Sequence, residues 1–234
     1  MQIPRIRARP VFIVCLSLLS GCRRDAEALD KLSIAYTSFL DAAYDTRITS
    51  LVPILDAEKK GSYWTELKGA LDLRATNSVR KEHATAAIYA ESNFIDGMFD
   101  AFNADLDNLD RAVSQVIETA NSIRNREYRG GAVAVSQRAR EVQSGYASLR
   151  TLYIEGFSRK RIILDKIVAD GGAIRPAILS LGNDFERLSA IAAEQKDVEK
   201  QLSLTMDHLK DAFSALRGAA GFKKYPSKWD NDKK

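Results

Sequence analysis

From Phe102 to Ile123 the apolar side chains return as Phe102, Leu106, Leu109, Val113, Val116, Ala120 and Ile123, in steps that alternate four and three residues. That alternation averages 3.5 residues, close to one α-helical turn, so all seven fall on a single narrow stripe. A strand places every second residue on one face and cannot use the pattern. A stripe this long and narrow loses its exposure to water only against another helix. Two later stretches carry stripes of the same kind: Val135, Ala139, Val142, Tyr146, Leu149, Tyr153, Phe157 and Ile163 or Leu164, then Leu181, Phe185, Leu188, Ala192, Leu202, Met206, Leu209, Phe213 and Leu216. A shorter one, Leu29, Leu32, Tyr36, Phe39 or Leu40, and Ala43, spans about Asp25 to Thr46.

The punctuation between the stripes sets the expected elements. Asn77 or Ser78 opens the second helix, and Gly130-Gly131 is expected to stop it, because glycine is the usual residue just past a helix end. The return helix is predicted over about Ala132 to Ala169 and closes at Gly171-Gly172. A third long helix follows over about Ala173 to Arg217, with Pro176 tolerated in its first turn. Between Ile48 and Leu73 the chain breaks into short helices around Pro53, Asp56 and Gly61-Ser62. Helices of roughly 38 to 45 residues would be about 55 to 70 Å long. The predicted fold is all-α: an elongated antiparallel bundle of three long helices, with an N-terminal helix and short helical segments.

The N-terminus carries a different signal. Arg5, Arg7 and Arg9 precede the uncharged run Val11 to Leu19, a secretory-leader pattern too short to span a bilayer. It closes on Leu19-Ser20-Gly21-Cys22, which resembles the lipobox of bacterial lipoproteins. The resemblance implies cleavage between Gly21 and Cys22, a diacylglyceryl group on the Cys22 thiol and usually an acyl chain, such as palmitate, on the new amine. Two or more chains make a durable anchor where one holds only marginally. An ordinary cleaved signal, leaving Cys22 a free thiol, is the alternative. Arg23 stands where enteric lipoproteins retained in the inner membrane commonly have Asp, which favours the periplasmic side of the outer membrane over the inner membrane. The expected organisation is a signal peptide at 1–21, one bundle domain at 22–221, and a flexible basic and aromatic tail at 222–234.

Loss of the leader changes the charge. The net +4 of the whole chain falls to +1 without its three arginines, too little for a field that gathers nucleic acid. Of the two cysteines, Cys15 leaves with the leader and Cys22 carries lipid, so no disulfide is expected. About 213 residues remain, ample for one core.

No phosphate loop or nucleophile elbow occurs, and His83 and His208, the only histidines, have no neighbouring ligands for zinc. No catalytic residue, metal or cofactor is therefore assigned. Asp96, Asp100, Asn103, Asp107 and Asp110 run at four-three-four-three spacing beside the apolar seam. They read either as a cation or basic-partner edge, or as a solvated flank opposing Arg138, Arg140, Arg159 or Arg161 on the next helix. Arg159-Lys160-Arg161 reads as a headgroup or acidic-partner site, or as a solvated face. In the tail, Phe222, Tyr225 and Trp229 interleave with Lys223, Lys224 and Lys228, a composition suited to partner binding, set against a frayed end.

Phe39-Leu40-Asp41, Leu51-Val52-Pro53-Ile54-Leu55 and Glu58-Lys59-Lys60, following the lipobox, are similar to strings in the YiaF-like proteobacterial lipoproteins. That resemblance covers about the first third of the chain and implies location, with no activity to carry over. The function expected is that of a non-enzymatic envelope lipoprotein, held to the membrane through Cys22, whose helical faces bind a protein partner or serve as a structural accessory. The alternative is an immunity or exclusion lipoprotein that neutralises a toxin or phage component.

Overall fold

A computed structural model of the protein describes residues 11–47, 78–169 and 182–231. Every element among them is a helix: α1 (Val11–Asp45), α2 (Ser78–Ser122), α3 (Arg126–Ala169), α4 (Gly182–Ala220) and the single turn α5 (Lys228–Asn231). The all-α bundle is thus the fold. The expected short helices of 48–73, the Gly171-Gly172 stop and the start of the last long helix near Pro176 lie outside the described residues.

The contacts fix the direction of each neighbour. On α2 and α3, Asp96 meets Arg161, Phe99 meets Phe157, Phe102 meets Tyr153 and Asp107 meets Arg150. As numbers rise on one helix they fall on the other, so the pair is antiparallel. On α3 and α4, Gly131 lies against Leu216, Gly145 against Leu202 and Gly156 against Ile191, again antiparallel. In α1, Tyr36 stacks flat on Phe213 of α4 with centroids 3.8 Å apart, while Thr46 Oγ1 lies 3.5 Å from the Asp105 carbonyl of α2. Helix α1 therefore starts at the end of the bundle that holds the α2–α3 turn and runs away from it, antiparallel to α2.

One apolar core joins all four long helices. All seven residues of the Phe102–Ile123 seam are buried, as are Leu29, Leu32, Tyr36, Phe39, Leu40 and Ala43 of α1. In α3 the expected seam is buried at Val135, Ala139, Val142, Leu149, Tyr153, Phe157 and Ile163, with Tyr146 partly covered. Helix α4 departs by one position: Ala192 is exposed and Ile191 is buried in its place, followed by Gln195. A step of three or of four from Leu188 continues the stripe equally well, and the larger apolar side chain removes more area from water. Tyr153 stays buried by giving its hydroxyl a partner, Glu199 Oε1 at 3.0 Å.

The α2–α3 turn differs from expectation. Helix α2 ends at Ser122, and Asn125 caps α3: its Oδ1 accepts the Glu127 N–H at 3.0 Å, and its carbonyl accepts the N–H groups of Tyr128 and Arg129. Gly130 and Gly131 are therefore interior residues of α3. Glycine at 131 serves packing, since a Cβ there would stand 2.9 Å from Leu216 Cδ1 of α4 and 3.3 Å from Leu216 Cβ. Helix α4 does end on a glycine: Gly221, at φ 67°, donates its N–H to the Arg217 carbonyl at 2.8 Å.

Candidate functional site

The C-terminal segment is a strap along α1. After Gly221 turns the chain back, the Lys223 carbonyl accepts the Ser33 hydroxyl at 2.6 Å. The Tyr225 hydroxyl donates to Asp30 Oδ1 at 2.8 Å, and the Lys228 N–H donates to Asp41 Oδ1 at 2.6 Å. Lys228 Nζ then reaches both oxygens of Asp45, at 2.9 and 2.6 Å. The expectation of a flexible tail at 222–234 is corrected over Phe222–Asn231, which follow α1 in parallel. The last three residues, with Lys233 and Lys234, lie outside the description.

The aromatic groups expected to await a partner are spent on the molecule itself. Phe222 packs edge-on to Phe213 with centroids 5.6 Å apart, and Trp229 sets its edge against Tyr44 while the Arg47 guanidinium covers its face at 5.5 Å. Phe222, Tyr225 and Trp229 are each only partly exposed. Ser227-Lys228-Trp229-Asp230 forms a capping-box-like start to α5: Ser227 Oγ accepts the Asp230 N–H at 3.3 Å and donates to Asp230 Oδ2 at 2.8 Å. Pro226 ahead of it shapes the extended entry to α5.

The strap's electrostatics favour the docked form. The hydrogen bond to Asp45 holds the Lys228 ammonium above the ordinary lysine range, and the bond to Asp30 raises the Tyr225 hydroxyl. Burial pushes the Asp230 carboxyl up, yet hydrogen bonds from Lys224 and Ser227 outweigh it and leave the group below its usual value. Burial, then the nearby Asp230, raises Tyr36, which stays neutral against Phe213.

The acidic stripe on α2 is a cross-linked flank. Asp96 pairs with Arg161 at 3.0 Å, Asp107 with Arg150 at 2.7 Å, and Asp110 accepts from Gln143 at 2.8 Å. Of the opposing arginines expected from sequence, only Arg161 meets the stripe; Arg138 pairs with Glu141 in its own helix, and Arg159 turns to α4. There Asp184 receives both Lys166 and Arg159, and those bonds hold its carboxyl below the ordinary range. Arg187 bridges back to Glu155 through two nitrogens, at 2.8 and 2.9 Å. The run Arg159-Lys160-Arg161 is consequently divided, Arg159 to α4, Lys160 over the Phe157 ring and Arg161 to α2.

Among the described residues no three His, Cys, Asp or Glu side chains converge on a point that would hold a metal ion. A groove between α2 and α3, lined by Leu106, Asp110, Val113, Gln143, Tyr146 and Arg150, has a volume of about 70 Å³, whereas small-molecule sites occupy about 300 to 1,000 Å³. His208 is exposed on α4. Gly21 and Cys22 lie within α1, Cys22 two turns before the buried Leu29, and no described helix is long and apolar enough to cross a membrane. No family model matches the chain, and no curated protein or solved structure matches it either.

Proposed function

We propose that this protein is a lipid-anchored envelope lipoprotein, facing the periplasm from the outer membrane, that acts as a non-enzymatic protein-binding or structural accessory factor. The observation that carries the reading is Leu19-Ser20-Gly21-Cys22, closing a leader of three arginines and an uncharged run. Acyl chains on Cys22 would insert into the leaflet and leave the bundle outside it. The bundle supports a binding role because its surface is built of long helical faces. Since the strap's aromatic groups are engaged on α1 and α4, a partner would meet the outer faces of α3 and α4. Val133, Ile154, Ile162 and Leu204 are large apolar side chains left in solvent on those helices.

The test is metabolic labelling with an acyl-chain probe. Wild type is expected to incorporate it, while Cys22→Ala is expected to lose the label and accumulate as the longer precursor. Equal labelling of the two forms would end the lipoprotein reading.

A further inference from the structure

Five arginines along the shaft of the bundle are neutralised, whereas four at one end are not. Arg138, Arg150, Arg159, Arg161 and Arg187 each meet a carboxylate. At the α2–α3 turn, Arg124, Arg126 and Arg129 are exposed, and none of them forms an ion pair with a described residue. Between positions 119 and 137 the chain holds three arginines, all at the turn, against a single acid, Glu127. Arg217 reaches the same end, because its neighbour Leu216 packs on Gly131, and it too has no ion pair among the described residues.

The same end carries the start of α1. Because α1 runs from Tyr36 beside Phe213 towards Thr46 beside Asp105, the residues before Leu29 lead back past the α2–α3 turn. Cys22 therefore leaves the bundle there. On that side Arg23 and Arg24 offset Asp25 and Glu27, so the positive character of the tip is that of the turn and of Arg217.

We propose that this tip is a membrane-seating surface, in which Arg124, Arg126, Arg129 and Arg217 bind the phosphate headgroups of an anionic lipid leaflet. The inference rests on the lipid-anchor reading for bringing the tip to a membrane. Guanidinium groups suit the task because their planar donors pair with two phosphate oxygens at once. Anchor and arginines at one end would stand the rod on the leaflet, with α4's first turns and the far end of α3 directed away from it. Each arginine close to an anionic surface is worth roughly fivefold in partitioning, so three are worth roughly a hundredfold.

The experiment uses the full-length gene product, purified in detergent and placed on phosphatidylcholine vesicles with or without phosphatidylglycerol. Intact mass first establishes whether Cys22 carries acyl chains, which judges the anchor by itself. Fluorophores on Asn121→Cys, near the turn, and on Ser158→Cys, about 35 Å along the rod at ~1.5 Å per residue, are then exposed to lipids with nitroxide headgroups. Quenching at 121 and none at 158 is expected. It should rise with phosphatidylglycerol, fall with salt, and be lost in Arg124→Gln/Arg126→Gln/Arg129→Gln, whose helical signal should equal that of wild type. Equal quenching at both sites, or a triple variant that behaves as wild type, would overturn the proposal. Should the mass show no acylation, the anchor reading fails, and co-sedimentation of that same protein with phosphatidylglycerol vesicles decides for the tip: a roughly hundredfold weakening in the triple variant supports it, and unchanged binding refutes it.

Discussion

Gly130 and Gly131 are adjacent residues of one helix, and replacing each by alanine should move stability in opposite directions. Both substitutions remove a helix-interior glycine, which by itself stabilises by about 0.5 to 1 kcal/mol. A Cβ at 130 meets nothing within 4 Å, so Gly130→Ala should show that gain in full. A Cβ at 131 would stand 2.9 Å from Leu216 Cδ1, 3.3 Å from Leu216 Cβ and 3.6 Å from Leu216 Cα. Rotating the leucine relieves the first of these contacts; the second requires α4 to give by a few tenths of an ångström, and the third is ordinary van der Waals contact. Such overpacking costs about 1 to 3 kcal/mol, and since the propensity gain is common to both variants, that is also the expected gap between them. For a domain of this size 1 kcal/mol corresponds to about 2 to 4 °C in Tm, so a gap of ~2 kcal/mol should appear as about 4 to 8 °C in thermal melts followed by far-ultraviolet circular dichroism. Gly145→Ala should fall between them, because there only Leu202 Cδ1 is close, at 2.9 Å, with the next atoms at 3.8 Å. If Gly131→Ala is as stable as Gly130→Ala, helices α3 and α4 do not approach each other as described.

Leu109 is 1% exposed in the core while Asp107 forms an exposed ion pair, so Leu109→Asp should cost ~4 kcal/mol or more and Asp107→Ala at most about 1 kcal/mol; similar melting shifts would place the inward face of α2 elsewhere. Truncation after Gly221 removes the partly buried Phe222 and Trp229, each worth ~1 to 2 kcal/mol, and should lower Tm while leaving the helical signal of the unheated protein nearly intact; an unchanged Tm would show that the strap does not dock. Tyr225 and Lys228 are both held above their ordinary values of 10.0 and 10.5, so strap docking is fully favoured below those values and weakens as pH rises through the raised ones. Trp229 emission should accordingly change in base before helix is lost, and a Tyr225→Phe/Lys228→Met double variant that keeps the same step would refute the assignment.

Periodicity made the core legible. The α2 seam is unambiguous because its four-three alternation offers no competing register, and each of its seven positions is buried. Where two neighbours continued the stripe, spacing had nothing more to say, and packing chose Ile191 over Ala192. The glycine pair at 130–131 misled because glycine has two uses that look alike in sequence, ending a helix and admitting a close neighbour. Asn125 with Glu127 two positions later was the better boundary signal. The ion pairs were legible in kind but not in partner, since a long arginine on α3 can reach either α2 or α4 and the choice depends on rotation about the helix axis. Arg150 pairs with α2 and Arg159 with α4 for that reason.

The tail departs furthest from what its composition suggests, because it docks along α1, and the reason bears on how the bundle closes. Pro226, the Gly218 to Gly221 break and the lysines all describe a segment that leaves a helix, and they say nothing about where the segment goes. Its destination is set by α1, whose Ser33, Thr37, Asp41 and Asp45 line one edge at four-residue spacing and present acceptors or hydroxyls to an extended chain. That edge is polar, so no hydrophobic periodicity reveals it, yet it is the edge a fourth helix would otherwise cover. Helix α1 packs on α2 and meets α4 through the Tyr36–Phe213 stack; the strap fills the remaining seam between the first helix and the last. Pull on α1 from an anchor at Cys22 would thus be resisted by two neighbours far apart in sequence, α2 and residues 222–231. The strap therefore contributes most to the element that an anchored molecule loads first.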